Sequence, residues 1–123
     1  MNSRASLWAG FVLSMLPSLL LLFSGVMKLM GGPQLAEGFQ MLGWPIHLAV
    51  PLGILEIAVT LIYLYPRTAV LGAILVTGYL GGAVATHVRI GDAFWMPVLL
   101  GVLVWGGLFL RDLRLRALLP INR

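Results

Sequence analysis

The run LWAGFVLSMLPSLLLLFSGVMKL, residues 7–29, decides the fold class of this chain. It is 23 residues long, and only small residues, hydroxyl residues and Pro17 interrupt it before Lys28. A bilayer core about 30 Å thick needs about 20 helical residues, so this run is long enough to span a membrane. The apolar segment of a signal peptide is shorter, about 7–15 residues, and ends at a small-residue cleavage site. We therefore predict a retained transmembrane helix.

Three further apolar runs follow, at residues 46–65, 68–86 and 94–110. The connection between the first two of these runs, through Pro66 and Arg67, is so short that their helices must be antiparallel neighbours. With residues 7–29 these runs make four spans. We predict an all-α protein, an integral membrane four-helix bundle in one domain.

The segment between the first two spans, residues 30–45, breaks the hydrophobicity. A Gly-Gly-Pro triplet at 31–33 ends the first helix. Leu35, Phe39 and Leu42 then recur at helical spacing. This pattern predicts a short amphipathic helix lying at the membrane interface.

The positions of Lys and Arg predict the orientation of the bundle. An even number of spans puts both termini on one side, and that side has six basic residues: Arg4, Arg67, Arg111, Arg114, Arg116 and Arg123. The other side has two, Lys28 and Arg89, accompanied by Glu37 and Asp92. Because cytoplasmic loops carry the excess of basic residues, we predict cytoplasmic N- and C-termini. Residues 111–123 form a basic cytoplasmic tail in this interpretation.

The composition excludes several classes of function. Of the 123 residues, 60% are hydrophobic and 10% are charged, whereas soluble domains have about 25% charged residues. The absence of cysteine excludes disulfides, thiolate metal sites and iron–sulfur clusters within the chain, and two histidines are too few for its own haem or zinc site. We predict no metal and no covalent cofactor. The net charge of +4 fits a lipid bilayer partner, not a nucleic acid.

Glu56 is an acidic residue inside a predicted membrane span. It lies ten positions after Ile46, about 15 Å into the helix at 1.5 Å per residue. There an ionised carboxylate costs about 2.5–3.5 kcal/mol. Glu56 must therefore be protonated, paired or beside a wet cavity, and we expect it to face the bundle interior. Lys28, with Ser24 one turn before it, can either extend to water or fold inward to Glu56.

A second polar cluster lies in ATHVRIGDAFWMP, residues 85–97, at the outer end of the third span. It contains His87, Arg89 and Asp92, and Tyr79 adds a hydroxyl group upstream. Hydrocarbon contact alone would not select such a cluster. It is either an interfacial cap on a membrane helix or one wall of a functional site.

Each of these groups also has a purely structural interpretation. Glu56 and Lys28 can form a buried ion pair that fixes helix register. Arg89 and Asp92 can be an ordinary charged helix end, and His87 can serve only as a hydrogen-bonding group. An ionisable residue inside a membrane is by default a functional-site hypothesis, so we favour a site.

Three motifs give the chain a resemblance to the DoxX and DoxX-like membrane proteins. They are FSGVMKL (23–29), LGILEIAV (52–59) and GAVATHVRIGD (82–92), the last followed by Pro97. Their order and spacing agree across nearly the whole chain. The polar positions of these motifs are occupied by Lys28, Glu56, His87, Arg89 and Asp92.

The resemblance implies a four-helix bundle in the bacterial inner (cytoplasmic) membrane, crossing it several times. Members are described as the membrane subunit of a thiosulfate:quinone oxidoreductase and as membrane partners of thiol or oxidative-stress enzymes. Distant animal relatives act in receptor assembly. The family is functionally broad, so membership does not identify one activity.

We hypothesise that the bundle binds a small lipophilic ligand, with a quinone as the candidate, in a polar pocket in its outer half. The ligand-binding candidates are Ser24, Lys28, Glu56, Tyr79, His87, Arg89 and Asp92. The catalytic candidates are Glu56, which can exchange protons, and His87. Because the chain has no redox-active residue set of its own, action as a quinone-linked oxidoreductase subunit requires the bound quinone or a redox partner protein.

Two other classes of function stay open. In the first, the chain is a non-catalytic assembly or scaffold protein that docks another membrane protein or a second copy of itself. Gly78 and Gly82 form a small-residue pair on the third span that allows close approach of a neighbouring helix. The second is a small transporter, which would need to oligomerise because four helices without an internal repeat are few for that task.

Overall fold

The computed structural model describes residues 4–112 and residue 115. It has five α-helices: α1 Arg4–Met30, α2 Pro33–Leu42, α3 Ala49–Leu64, α4 Ala69–Arg89 and α5 Trp95–Arg111. One 3-10 turn, Ile46–Leu48, precedes α3, and another, Pro66–Thr68, precedes α4. The described residues contain no β-strand, so the predicted all-α class is confirmed.

The four long helices pack side by side, each antiparallel to its neighbours. Helix α1 packs against α3 and α5, and α4 packs against the same two helices. Ser14 in α1 contacts Tyr63 in α3, whereas Gly25 in α1 lies against Gly53 in α3, so these two helices run in opposite directions. The start of α1, the α3–α4 connection and the end of α5 therefore share one end of the molecule, called here the Arg67 end. The opposite end carries α2 and is called the α2 end.

Three helical segments among the described residues are long and apolar enough to cross a membrane, by length and composition. They are Arg4–Met30, Ile46–Leu64 and Pro66–Arg89, and they coincide with the first three predicted spans. Helix α5 is apolar but has 17 residues, the short limit of about 17–25 for a transmembrane helix. The outer surface is largely apolar: Trp8 and Phe23 are each 66% exposed. Monomeric soluble proteins rarely expose large apolar patches of this kind, so the surface is that of a membrane protein.

Polar side chains are buried where α1 meets α3. Ser14, Ser18 and Thr60 are at most 1% exposed. The hydroxyls of Ser18 and Thr60 donate to the backbone carbonyl four residues earlier. The Tyr63 hydroxyl lies 2.6 Å from the carbonyl oxygen of Val104 and 2.9 Å from Ser14 Oγ, which joins three helices. The inward-facing polar side of α3 is therefore satisfied within the protein.

Glycines allow close helix contacts, although not at the predicted pair. A Cβ at Gly72 would lie 2.2 Å from a backbone nitrogen of α3, and a Cβ at Gly107 would lie 2.4 Å from Ser14 Oγ. A Cβ at Gly78 or Gly82 would meet no atom within 4 Å. No helix of this chain packs closely on the pair, because α4 meets α3 and α5 through its other faces; close approach by a helix of another protein stays a prediction.

Helix α5 ends at Arg111, which packs against α3 at the Arg67 end. Its guanidinium carbon lies 5.0 Å from the centre of the Tyr63 ring, and its Nη2 lies 3.3 Å from the Tyr63 carbonyl oxygen. That carbonyl is in the last turn of α3, where a cation interacts favourably with the helix dipole. Of the predicted tail 111–123, the following arginines lie outside the described residues: Arg114, Arg116 and Arg123.

Candidate functional site

Side chains from three helices converge on one carboxylate oxygen. Lys28 Nζ from α1 and the Tyr79 hydroxyl from α4 each lie 2.7 Å from Glu56 Oε1 in α3. Glu56 is 1% exposed, and two charge-assisted hydrogen bonds offset the cost of its burial. The contact between Glu56 and Lys28 is thus present, and Lys28 folds inward. We refer to Lys28, Glu56 and Tyr79 as the Glu56 cluster.

The antiparallel packing of α1 and α3 explains why Lys28 reaches inward. A helical side chain leans toward the N-terminus of its own helix. Helix α1 begins at the Arg67 end, so Lys28 leans from the α2 end toward the interior, while Glu56 leans the opposite way to meet it. Gly53 permits the close contact, because a Cβ there would lie 3.0 Å from Lys28 Cβ.

A cavity of about 320 Å³ lies beside the Glu56 cluster at the α2 end. Its volume is near the lower end of the range of about 300–1,000 Å³ typical for small-molecule sites. Its lining is mostly apolar, with Lys28, Tyr79 and His87 as the larger polar side chains. The lining residues are Lys28, Phe39, Leu42, Trp44, Leu52, Gly78, Tyr79, Gly82, Ala83, Thr86 and His87. A molecule in the cavity would therefore contact Lys28 and Tyr79, the two hydrogen-bond donors to Glu56, and not Glu56 itself.

Two predicted ligand-binding residues lie beside the cavity without lining it. Ser24 Oγ accepts a hydrogen bond from Lys28 Nζ at 2.8 Å but does not line the cavity. Asp92 has a side chain that is 43% exposed, and its Oδ2 lies 3.9 Å from His87 Nε2. His87 does line the cavity, with its Nδ1 2.7 Å from the Ala83 carbonyl oxygen. Asp92 can thus act on the cavity only through His87.

Arg89 extends toward α2 and does not line the cavity. Its Nη2 donates to the carbonyl oxygen of Leu42, the last residue of α2. A Cβ built on Gly43 would lie 3.1 Å from the same Nη2. The structure therefore separates Arg89 from the other predicted ligand-binding residues and places its guanidinium on the C-terminus of α2.

The end of α4 fixes the position of Arg89. The helix continues to Arg89, three residues beyond the predicted end of the third span at residue 86. Gly91 then adopts a φ of +73°. Its N–H bonds to the Val88 carbonyl, and the Asp92 N–H bonds to the His87 carbonyl. This is a Schellman motif. Much of the second polar cluster therefore belongs to the C-terminal cap of α4.

Helix α2 and the residues after it supply three lining residues that the sequence did not single out as site residues: Phe39, Leu42 and Trp44. The predicted short helix is confirmed as an element, and Phe39 is its buried residue. Its amphipathic pattern was the available signal. That pattern identifies an apolar face, but it does not tell whether the face meets lipid or a cavity.

The arrangement can bind a hydrogen-bond acceptor and hold a proton nearby. An ammonium group has three N–H donors, and the bonds from Lys28 to Glu56 and Ser24 use two of them. The third can donate to a carbonyl in the cavity. Glu56 can accept a proton when its partners change, and Tyr79 provides a hydroxyl between it and the cavity.

Comparison with known proteins identifies one family. The model described as the DoxX-like family matches residues 12–107. The match includes all three residues of the Glu56 cluster and the whole lining of the cavity. Comparisons with curated proteins and with solved structures found no match.

Proposed function

The chain belongs to the DoxX-like family, and from this premise we propose that it binds a small lipophilic molecule, with a quinone as the candidate, in the cavity beside the Glu56 cluster. The protein is a four-helix bundle that crosses the bacterial inner membrane, with both termini in the cytoplasm. The observation that carries the ligand proposal is the junction of an apolar, aromatic-walled cavity with a buried carboxylate whose two donors line that cavity.

The cavity has the chemistry that a quinone head group needs. Phe39 and Trp44 offer aromatic surface to a flat ring. The free donor of Lys28 can hydrogen-bond to a ring carbonyl, whereas the Tyr79 hydroxyl already donates its one hydrogen to Glu56. The open volume is suited to a ring, so an isoprenoid tail would extend along the apolar helix surface into lipid.

The chain can have a redox role only together with a bound quinone and a redox partner protein. Reduction of a quinone to a quinol takes up two electrons and two protons. In this proposal Glu56 delivers a proton from the buried side of the cavity and His87 delivers one from the exposed side. The electrons would come from a redox partner protein, and the chain is therefore proposed as the quinone-binding subunit of a membrane redox system.

A glycine substitution can test whether the cavity is the binding site. Gly82 lines the cavity, and a Cβ there would meet no atom within 4 Å, so Gly82→Val should fill the cavity without disturbing helix packing. We expect binding of a short-chain benzoquinone, followed by quenching of Trp44 fluorescence, to weaken at least about tenfold, equivalent to about 1.4 kcal/mol. Melting should be unchanged or slightly raised, because glycine is a poor helix former.

The neighbouring glycine provides the matched control. A Cβ at Gly81 would also meet no atom within 4 Å, but Gly81 faces a groove between α4 and α5, away from the cavity. Gly81→Val should bind the quinone as the unmodified protein does. Equal binding by Gly82→Val and the unmodified protein would contradict the proposed site.

A scaffold function is the second candidate. Its supporting observation is that the α4 surface around Gly78, Gly81 and Gly82 is left open by the other helices. A helix of another membrane protein could approach α4 closely there. Co-purification of a partner protein that Gly81→Val abolishes, with no quinone bound, would favour this candidate over ligand binding.

A further inference from the structure

Helix α2 covers the cavity on one side, through Phe39 and Leu42, but is weakly attached to the rest of the protein. It packs only sparsely against the four long helices, and Phe39 is its buried residue. The chain enters α2 through Gly31 and Gly32, with φ of +76° and +116°, and leaves it through Gly43, with φ of +80°. Glycine adopts such angles freely, so α2 is joined to α1 and α3 by connections that turn readily.

One side-chain hydrogen bond ties the end of α2 to α4. Arg89 Nη2 donates to the Leu42 carbonyl, and the guanidinium lies against Gly43. The neighbouring carbonyls of Gln40 and Phe39 are taken by the N–H groups of Gly43 and Trp44. Arg89 therefore meets the negative end of the α2 dipole at a carbonyl outside that backbone motif.

We propose that α2 is a gate over the cavity and that Arg89 is the latch that keeps it closed. Phe39 and Leu42 move with α2, so its displacement opens the cavity wall facing the membrane surface. Arg89 acts as a positioning residue: it does not line the cavity, but it holds the segment that does. The role of the gate in ligand entry rests on the proposed function, whereas the latch itself can be tested without a ligand.

The absence of cysteine from the chain makes a labelling experiment direct. Ala83 lines the cavity, so an Ala83→Cys variant reports on access to it. We expect a bulky maleimide to label this cysteine slowly in detergent micelles when Arg89 is present. Adding Arg89→Gln should speed labelling by about threefold or more, because the lost hydrogen bond is to a charged group but is exposed to solvent. Arg89→Lys, which keeps the charge and a donor, should restore slow labelling in part.

A pair of glycine variants tests the latch from the side of α2. In Gly43→Ala the new Cβ would lie 3.1 Å from Arg89 Nη2, so the guanidinium would have to shift by a few tenths of an ångström and its bond to Leu42 would weaken. Gly31→Ala imposes similar backbone strain, with φ of +76° against +80°, but its Cβ would meet no atom within 4 Å. Labelling of Ala83→Cys should rise in the first variant and stay unchanged in the second.

Two controls separate gate opening from unfolding. Ala93→Cys, in the exposed connection after α4, should label at one rate in every background. Ala73→Cys, at a position that is 0% exposed, should stay unlabelled. Unchanged labelling of Ala83→Cys in Arg89→Gln overturns the proposal, as does a parallel rise in labelling of Ala73→Cys. Because no ligand is present, failure of quinone binding would leave this test valid.

Discussion

At the residue scale, Lys28 links the buried charge to the cavity. Its side chain is 16% exposed, whereas that of Glu56 is 2% exposed. Lys28 can therefore share its donors between Glu56 and a ligand while keeping contact with water. Glu56 has no such freedom, because its Oε1 is held by Lys28 and Tyr79 from two different helices.

Glu56→Gln separates a ligand site from a structural ion pair. The glutamine keeps the shape and one carbonyl oxygen but removes the charge and the exchangeable proton. We expect stability to be nearly intact or improved, because burying an ionisable carboxyl is costly and Lys28 can stay hydrated from the cavity. Quinone binding should fall at least about tenfold, about 1.4 kcal/mol. Thermal melting and fluorescence quenching on the same variant measure both quantities.

The opposite pattern would identify Glu56 as structural. In that case loss of the carboxylate leaves Lys28 without its partner, and stability falls by about 3–5 kcal/mol. A destabilised variant whose folded fraction binds quinone normally would remove Glu56 from the site.

Predictions for single residues were confirmed where they depended only on the position of the residue along its own helix. An acid in the middle of an apolar span must find a partner, so burial of Glu56 in the bundle interior could be predicted, and the contact with Lys28 was one of the two alternatives that the sequence left open. The bond from Arg89 to Leu42 could not be, because it depends on where α2 folds back against α4. Whether the cluster binds a ligand stays a prediction.

At the element scale, the distance between neighbouring helices depends on a few glycines. A side chain at these positions would collide with the backbone of the neighbouring helix. A Cβ at Gly107 would lie 2.7 Å from the Ser14 nitrogen as well as 2.4 Å from its Oγ. We expect Gly107→Ala to push α5 away from α1 and to lower the free energy of unfolding by about 1–3 kcal/mol, the usual cost of overpacking. Gly106→Ala is the control, because its Cβ would meet no atom within 4 Å; it should be neutral or stabilising. Equal melting of the two variants would mean that α1 and α5 are not in close contact.

The hydropathy pattern predicted the ends of the helices to within a few residues, because each apolar run ends where polar or turn-forming residues begin. The predicted spans 7–29 and 94–110 correspond to α1 and α5 with ends shifted by one to three residues. The close-contact glycines were not predictable in the same way. Gly72 and Gly107 look like Gly78 and Gly82 in the sequence, and only the rotation of each helix tells which of them faces a neighbour.

At the scale of the whole molecule, the basic residues are segregated. Arg4, Arg67 and Arg111 lie at the Arg67 end, whereas Lys28 and Arg89 lie at the α2 end. Since basic residues are retained in the cytoplasm, we expect the Arg67 end to be cytoplasmic. A phosphatase fused after residue 123 should be inactive in cells, and a fluorescent protein that folds only in the cytoplasm should be bright there. Phosphatase activity at that position would invert the orientation and put the cavity on the cytoplasmic side.

The unequal helix lengths would affect the surrounding lipid if all four long helices cross the membrane, as proposed. Helix α1 has 27 residues and α5 has 17, which correspond to lengths of about 40 Å and 26 Å at 1.5 Å per residue. In the proposed orientation, α1 must tilt or protrude, while acyl chains beside α5 must shorten to match it. The protein would then carry a local thinning of the bilayer along one flank only. Such one-sided hydrophobic mismatch would draw short-chain lipids to the α5 flank.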